Sequence, residues 1–220
     1  MRWSRPNLRA ALTAVVAVAA AMSVNVASAD ASTALQTGDM VRLARIEYGC
    51  TTGFTREIRT PTAVISIAVT AGHCSPTTSA AAYRGLELDP VGKVIRKRGL
   101  NALDYAAIRV PGAVKTTPIA SPGPVGSSVC KFGRITGITC GPIVAVTDLE
   151  ITAKLRILPG DSGGGAVDAF GRTIGIVSRT NIDHGLVPVW TAVLSGKPML
   201  VVFPRADRIV ADLATLGDAA

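Results

Sequence analysis

Short apolar runs broken by turn-forming residues dominate the chain from about position 62 onward. Residues 62–70 (TAVISIAVT) are apolar at most positions and rich in β-branched side chains, which suits a buried strand. Similar runs occupy 91–96, 105–110, 143–152 and 173–178. Gly99-Leu100-Asn101, Ser121-Pro122-Gly123-Pro124 and Pro159-Gly160-Asp161 punctuate them with residues that favour turns. Many short strands with recurrent turns predict an all-β sandwich or barrel. One segment has a different period. Over 205–216, Ile209, Val210, Leu213 and Leu216 recur at helical spacing beside Asp207, Arg208 and Asp212. A short C-terminal helix is predicted there, docked by its apolar stripe with its charges outward.

The 220 residues suffice for one domain or two small packed halves. At the N-terminus, Arg2, Arg5 and Arg9 lead into an apolar stretch that ends in Ala27-Ser28-Ala29. A basic start, a short apolar core and an A-x-A ending describe a secretory signal peptide over 1–29. The stretch falls short of the roughly 20 residues a spanning helix needs, so no lasting membrane insertion is expected. Residues 30–44 are small and polar at their start and read as a short leader or disordered arm. The globular domain is expected over 45–220, with a link between two β halves near 118–127.

Removing 1–29 takes away three arginines and no acids, leaving 20 basic and 15 acidic residues, and lowers the net charge from +8 to +5. What remains is scattered apart from Lys93 and Arg96-Lys97-Arg98, which read as a solvated turn. Aromatics make up only 4%, too few for a base-stacking surface, and no nucleic-acid partner is expected. Cys50, Cys74, Cys130 and Cys140 form an even set in an exported chain, so two disulfides are expected, with three connectivities open. With no C-x-x-C pair and only two histidines, a metal site is not expected.

The most specific string is Pro159-Gly160-Asp161-Ser162-Gly163-Gly164. A serine hydroxyl is a useful nucleophile only beside a base, and its acyl intermediate needs preorganised donors. Glycines around Ser162 permit a tight turn and a close substrate backbone. The base candidate is His73 in Thr70-Ala71-Gly72-His73-Cys74, at the end of an apolar strand. Asp104, entering the apolar run Tyr105-Ala106-Ala107-Ile108, is the acid that would orient it, because a buried carboxylate must find a partner.

Together TAGHC, DYAAIRV and GDSGG, in the order His, Asp, Ser, resemble the chymotrypsin-like serine proteases. The segment from Ser128-Val129-Cys130-Lys131 to Cys140-Gly141 is similar to the short disulfide loop of the actinobacterial streptogrisin and α-lytic group. The resemblance implies two six-stranded antiparallel β-barrels with a short C-terminal helix, and a secreted bacterial endopeptidase. It would be a monomer acting on protein or peptide substrates without a cofactor. It also implies disulfides Cys50–Cys74 and Cys130–Cys140, and an oxyanion hole from the N–H groups of Gly160 and Ser162. Ser178 would bond the triad aspartate, with Arg179 and Thr180 continuing the substrate wall. Asp161 would turn inward onto a cation, for which the candidates are Lys131, where relatives tend to carry arginine, and Arg134.

Two other readings share these residues. Gly160-Asp161-Ser162-Gly163-Gly164 matches the G-x-S-x-G elbow of α/β-hydrolase esterases, with Asp168 and His184 following in that order. No helical period follows the serine, which counts against it. The other is a catalytically weak or inactive binding protein on the same scaffold, suggested by Lys131 and the bulky Arg179-Thr180 wall.

Overall fold

The computed structural model describes residues 35–44, 49–101, 103–180 and 196–217. The expected signal peptide, His184 and residues 30–34 of the expected leader lie outside them. Within one compact unit the chain forms two antiparallel sheets and a C-terminal helix.

The first sheet contains β1 (Met40–Leu43), β2 (Cys50–Thr51), β3 (Phe54–Arg59), β4 (Val64–Ala71), β5 (Ala81–Arg84), β6 (Asp89–Lys97) and β7 (Tyr105–Val110), in the order β2-β1-β5-β6-β7-β4-β3. The second contains β8 (Ser128–Gly133), β9 (Gly137–Val146), β10 (Glu150–Leu155), β11 (Gly165–Val167), β12 (Thr173–Ile176), β13 (Arg179–Thr180) and β14 (Met199–Pro204), in the order β12-β11-β8-β9-β10-β14-β13.

Each sheet has seven strands where six were expected, and the difference has a simple origin. Chain-consecutive β2 and β3 lie on opposite edges of the first sheet, separated only by Thr52 and Gly53. Likewise β12 and β13 lie on opposite edges of the second, separated by Val177 and Ser178. One continuous run in each half therefore bends at a corner and bonds to both ends of its sheet, which closes a barrel. Counted as continuous runs, both barrels have six strands.

The long apolar runs reflect burial on both faces. From β4 and β7, Ala68, Ala106 and Ile108 point into the first barrel with Val41, Leu43 and Val94. Their neighbours Ile65, Ile67, Val69 and Tyr105 face outward, where α1 (Ala206–Leu213) covers them with Ile209 and Leu213. The second barrel is filled by Val129, Ile143, Ile151, Leu155, Ile174 and Phe203, among others. The helix leaves β14 of the second barrel and straps onto the first. Ile209 and Leu213 of the helix, and Leu216 just beyond it, are buried and each contribute roughly 1.5–3 kcal/mol.

Two expectations change. Residues 35–44, read as a leader or arm, include β1, which pairs Val41 with Arg84 and with Cys50. Leu35, Val41 and Leu43 are fully buried, and it is this alternation in a short run that sequence composition obscured. The apolar run 143–152 is a hairpin rather than one strand: β9 ends at Val146, and the hydroxyl of Thr147 accepts from the N–H groups of Leu149 and Glu150 in the turn.

Candidate active site

The nominated histidine sits where β4 runs out into a single 3₁₀ turn, Gly72–Cys74. Asp104 lies across from it, just before β7, with its side chain wholly buried. One carboxylate oxygen accepts from the His73 backbone N–H at 2.8 Å and the other pairs with His73 Nδ1 at 2.9 Å. The Ser178 hydroxyl donates to the second oxygen at 2.5 Å. Burial would push the Asp104 carboxyl up, yet these bonds from His73 and Ser178 outweigh it and hold the group below its ordinary value. Asp104 has φ of 35°, a left-handed conformation that costs a non-glycine residue on the order of 1–3 kcal/mol. Gly72 allows the close approach: a Cβ there would lie 2.0 Å from the Arg98 carbonyl and 3.0 Å from Asp104 Oδ1.

Ser162 is carried on the loop from β10 to β11. Its carbonyl accepts from Thr51 N–H at 2.8 Å, and the Thr51 hydroxyl donates to the Gly160 carbonyl at 2.8 Å. Thr51 follows Cys50, whose disulfide to Cys74 ties that segment beside His73. The second disulfide joins Cys130 to Cys140, directly opposite one another on β8 and β9. The triple glycine after Ser162 is a packing demand. A Cβ on Gly163 would lie 2.3 Å from the Thr51 carbonyl, one on Gly164 1.9 Å from the Phe132 carbonyl, and one on Gly165 2.5 Å from the Gly53 carbonyl. The serine loop is thus wedged between the two barrels at their corners. Gly160 adopts φ of 99°, and among the described residues the N–H groups of Gly160 and Ser162 have no protein acceptor. Nor does a hydrogen bond join the Ser162 hydroxyl to His73 among them.

Asp161 points inward onto Lys131, 3.1 Å away, and both side chains are completely buried. Lys131 rather than Arg134 is the partner. Its ammonium also donates to the Thr136 hydroxyl and, at 2.9 Å, to the Gly137 carbonyl, so three acceptors meet its three protons. Asp161 accepts further bonds from the N–H groups of Leu158, Ile135 and Thr136 and from the Thr136 hydroxyl. Burial would push its carboxyl up, and these donors hold it below the ordinary range; burial lowers Lys131 against the pull of Asp161. The planar fork that arginine would bring is replaced by this ring of donors.

Ser178 lies at the corner between β12 and β13, and β13 is an edge strand. Arg179 is occupied: its guanidinium forks onto Glu150 at 2.7 and 3.0 Å. Thr180 is half-buried beside it. An open cleft continues from Arg179 between Leu100-Asn101 and the 147–150 turn. Arg156 is exposed. The esterase arrangement is absent from the described residues: strand β11, not a helix, follows Ser162, and Asp168 is held by Arg172 in a surface turn. Cys50, Cys74 and His73 cluster closely, but the two sulfurs are bonded to each other and offer no thiolate to a metal. Thr51 and Thr136 have no signal in the sequence that marks them for the site, because only tertiary contacts single them out.

Paired six-run barrels with a strapping C-terminal helix are the fold of the chymotrypsin-like serine proteases. Solved structures agree. Thermobifida fusca protease A superposes with a TM-score of 0.60 at 19% identity, covering 82% of this chain and 96% of its own. Nocardiopsis protease gives 0.60 at 20% identity over 80% and 95%, and the Cellulomonas bogoriensis chymotrypsin 0.58 at 22% over 81% and 94%. No protein-family model matches the chain, and no curated protein matches it in sequence.

Proposed function

We propose that the chain is a secreted serine endopeptidase in which His73, Asp104 and Ser162 form the catalytic triad. The observation that carries this reading is the hydrogen-bond chain Ser178–Asp104–His73 together with a serine loop in which the Gly160 and Ser162 N–H groups have no acceptor among the described residues. In this reading His73 takes the Ser162 proton as the hydroxyl attacks a peptide carbonyl, forming a tetrahedral intermediate. The N–H groups of Gly160 and Ser162 receive its oxyanion. His73 then gives the proton to the leaving amine, the acyl-enzyme remains, and a water activated by His73 releases it. Asp104 keeps Nδ1–H donated toward itself, which leaves the other ring nitrogen free to act as base. The edge of β13, which pairs with no further strand among the described residues, would together with Ser178 before it align an extended substrate strand. Two disulfides, and no helix among the described residues long and apolar enough to cross a membrane, fit export.

The open contact between Ser162 and His73 is the one feature that favours the weakly active or non-catalytic binding reading. Such contacts commonly close only around substrate. Hydrolysis of a denatured protein substrate by the purified chain decides between them. Wild type is expected to cleave and both Ser162→Ala and His73→Ala to lose cleavage; a folded wild type no faster than Ser162→Ala contradicts the proposal.

A further inference from the structure

The strained aspartate needs something to hold its loop, and the holding group comes from the far end of the chain. The loop is pinched at its base, where Arg98 N–H donates to the Tyr105 carbonyl at 2.8 Å and Asp104 N–H to the Gly99 carbonyl at 3.1 Å. Both flanking side chains, Arg98 and Tyr105, converge on Asp212 of α1. Arg98 forks onto its two oxygens at 2.7 and 3.0 Å, and the buried Tyr105 hydroxyl donates to one of them. Arg96 adds a third cationic contact at 3.4 Å and reaches the Asp212 carbonyl and the Thr215 hydroxyl from the same guanidinium. Arg96 from the end of β6, Arg98 just after it and Tyr105 from β7 are the groups that the described residues bring to the Asp212 carboxylate, while the Thr215 hydroxyl, just beyond the helix, donates to the Asp212 backbone carbonyl.

The sequence places Asp212 on what reads as the solvated face of the helix, yet it is four-fifths covered, with 19% of its side chain exposed. Apolar packing of Ile209 and Leu213 already docks the helix. An ionic fork directed at the two residues flanking the Asp104 loop does something packing does not: it fixes the direction of that loop.

We propose that Asp212 is a positioning residue for the Asp104–His73 pair, acting through Arg98 and Tyr105 to hold Asp104 in its left-handed conformation. The inference rests on the protease reading, since only there does the precise aim of Asp104 matter to a rate. Loss of the fork lets the loop relax, the Asp104–His73 bond loosens, and the imidazolium formed during acyl transfer is less well stabilised. Binding of substrate at β13 is untouched.

The test uses Asp212→Asn, Asp212→Glu and Tyr105→Phe in the full chain, with rates expressed per titrated active serine so that misfolded molecules do not count. Asp212→Asn should lower kcat on the order of tenfold or more with KM nearly unchanged. The His73 Nδ1 proton, followed by NMR, should exchange with water faster. Tyr105→Phe, which changes no charge, should shift both readouts in the same direction, and Asp212→Glu should recover part of each. A lower melting temperature with per-site kcat and proton exchange as in wild type would overturn the inference, leaving Asp212 a helix peg alone. The proton-exchange arm needs no turnover. A wild type without activity but with faster exchange in Asp212→Asn would sink the protease reading and keep the positioning role; unchanged exchange would sink the latter.

Discussion

At the scale of single residues, two buried aspartates do opposite jobs with the same chemistry. Asp104 is aimed outward to an imidazole that is one-third exposed, at 33%, and Asp161 is aimed inward to Lys131. Replacing Asp104 with Asn keeps its shape but favours the wrong histidine tautomer. A fall in kcat of about ten-thousandfold is expected, with the fold unchanged by circular dichroism. Lys131→Ala leaves the Asp161 carboxylate buried without its counter-charge, which should cost about 3–5 kcal/mol in urea titration. A cost near zero would mean that the four hydrogen-bond donors from Leu158, Ile135 and Thr136 suffice alone. Both carboxyls, and Asp212 at about 2, sit below their ordinary values. A carboxyl depressed in the folded state stabilises it above the unfolded value of roughly 3.9 and loses that contribution as pH falls through the folded value. Melting temperature should therefore drop steeply below about pH 4, and Asp212→Asn should flatten that drop.

At the scale of elements, the informative parts of the fold are its corners. Gly53 and Val177-Ser178 mark the two places where a run leaves one edge of its barrel for the other, and the glycines after Ser162 meet the first at Gly53 and the second through hydrogen bonds with Val177. The motifs were legible because chemistry restricts them locally: a glycine-flanked serine, a histidine after a buried strand, an acid entering another. What the pattern hid was non-local. Asp212 reads as a surface charge until the helix is laid on β4 and β7, and Thr51 has no signature beyond following Cys50. Residues 30–44 read as a short leader or disordered arm, yet β1 buries Val41 and Leu43, and the buried Leu35 precedes it. Deleting 30–44 removes three buried aliphatics, at roughly 1.5–3 kcal/mol each, so the truncated chain should be unfolded or markedly less stable. A truncated chain with the melting temperature of the full one would return this segment to a leader.

At the scale of the whole molecule, the site is assembled from both halves and tied by the chain's end. The first barrel supplies His73 and Asp104, the second supplies Ser162 and Ser178, and α1 crosses from the second to the first. Comparison with solved structures at 19–22% identity reaches this architecture and stops there, so activity rests on the geometry of the named residues. The most direct measurement is mass spectrometry after exposure of the folded chain to a serine-directed fluorophosphonate. A single adduct, located on Ser162, should form in wild type and be absent from both Ser162→Ala and His73→Ala. A folded wild type that stays unmodified, or one modified equally fast without His73, would contradict the proposed triad.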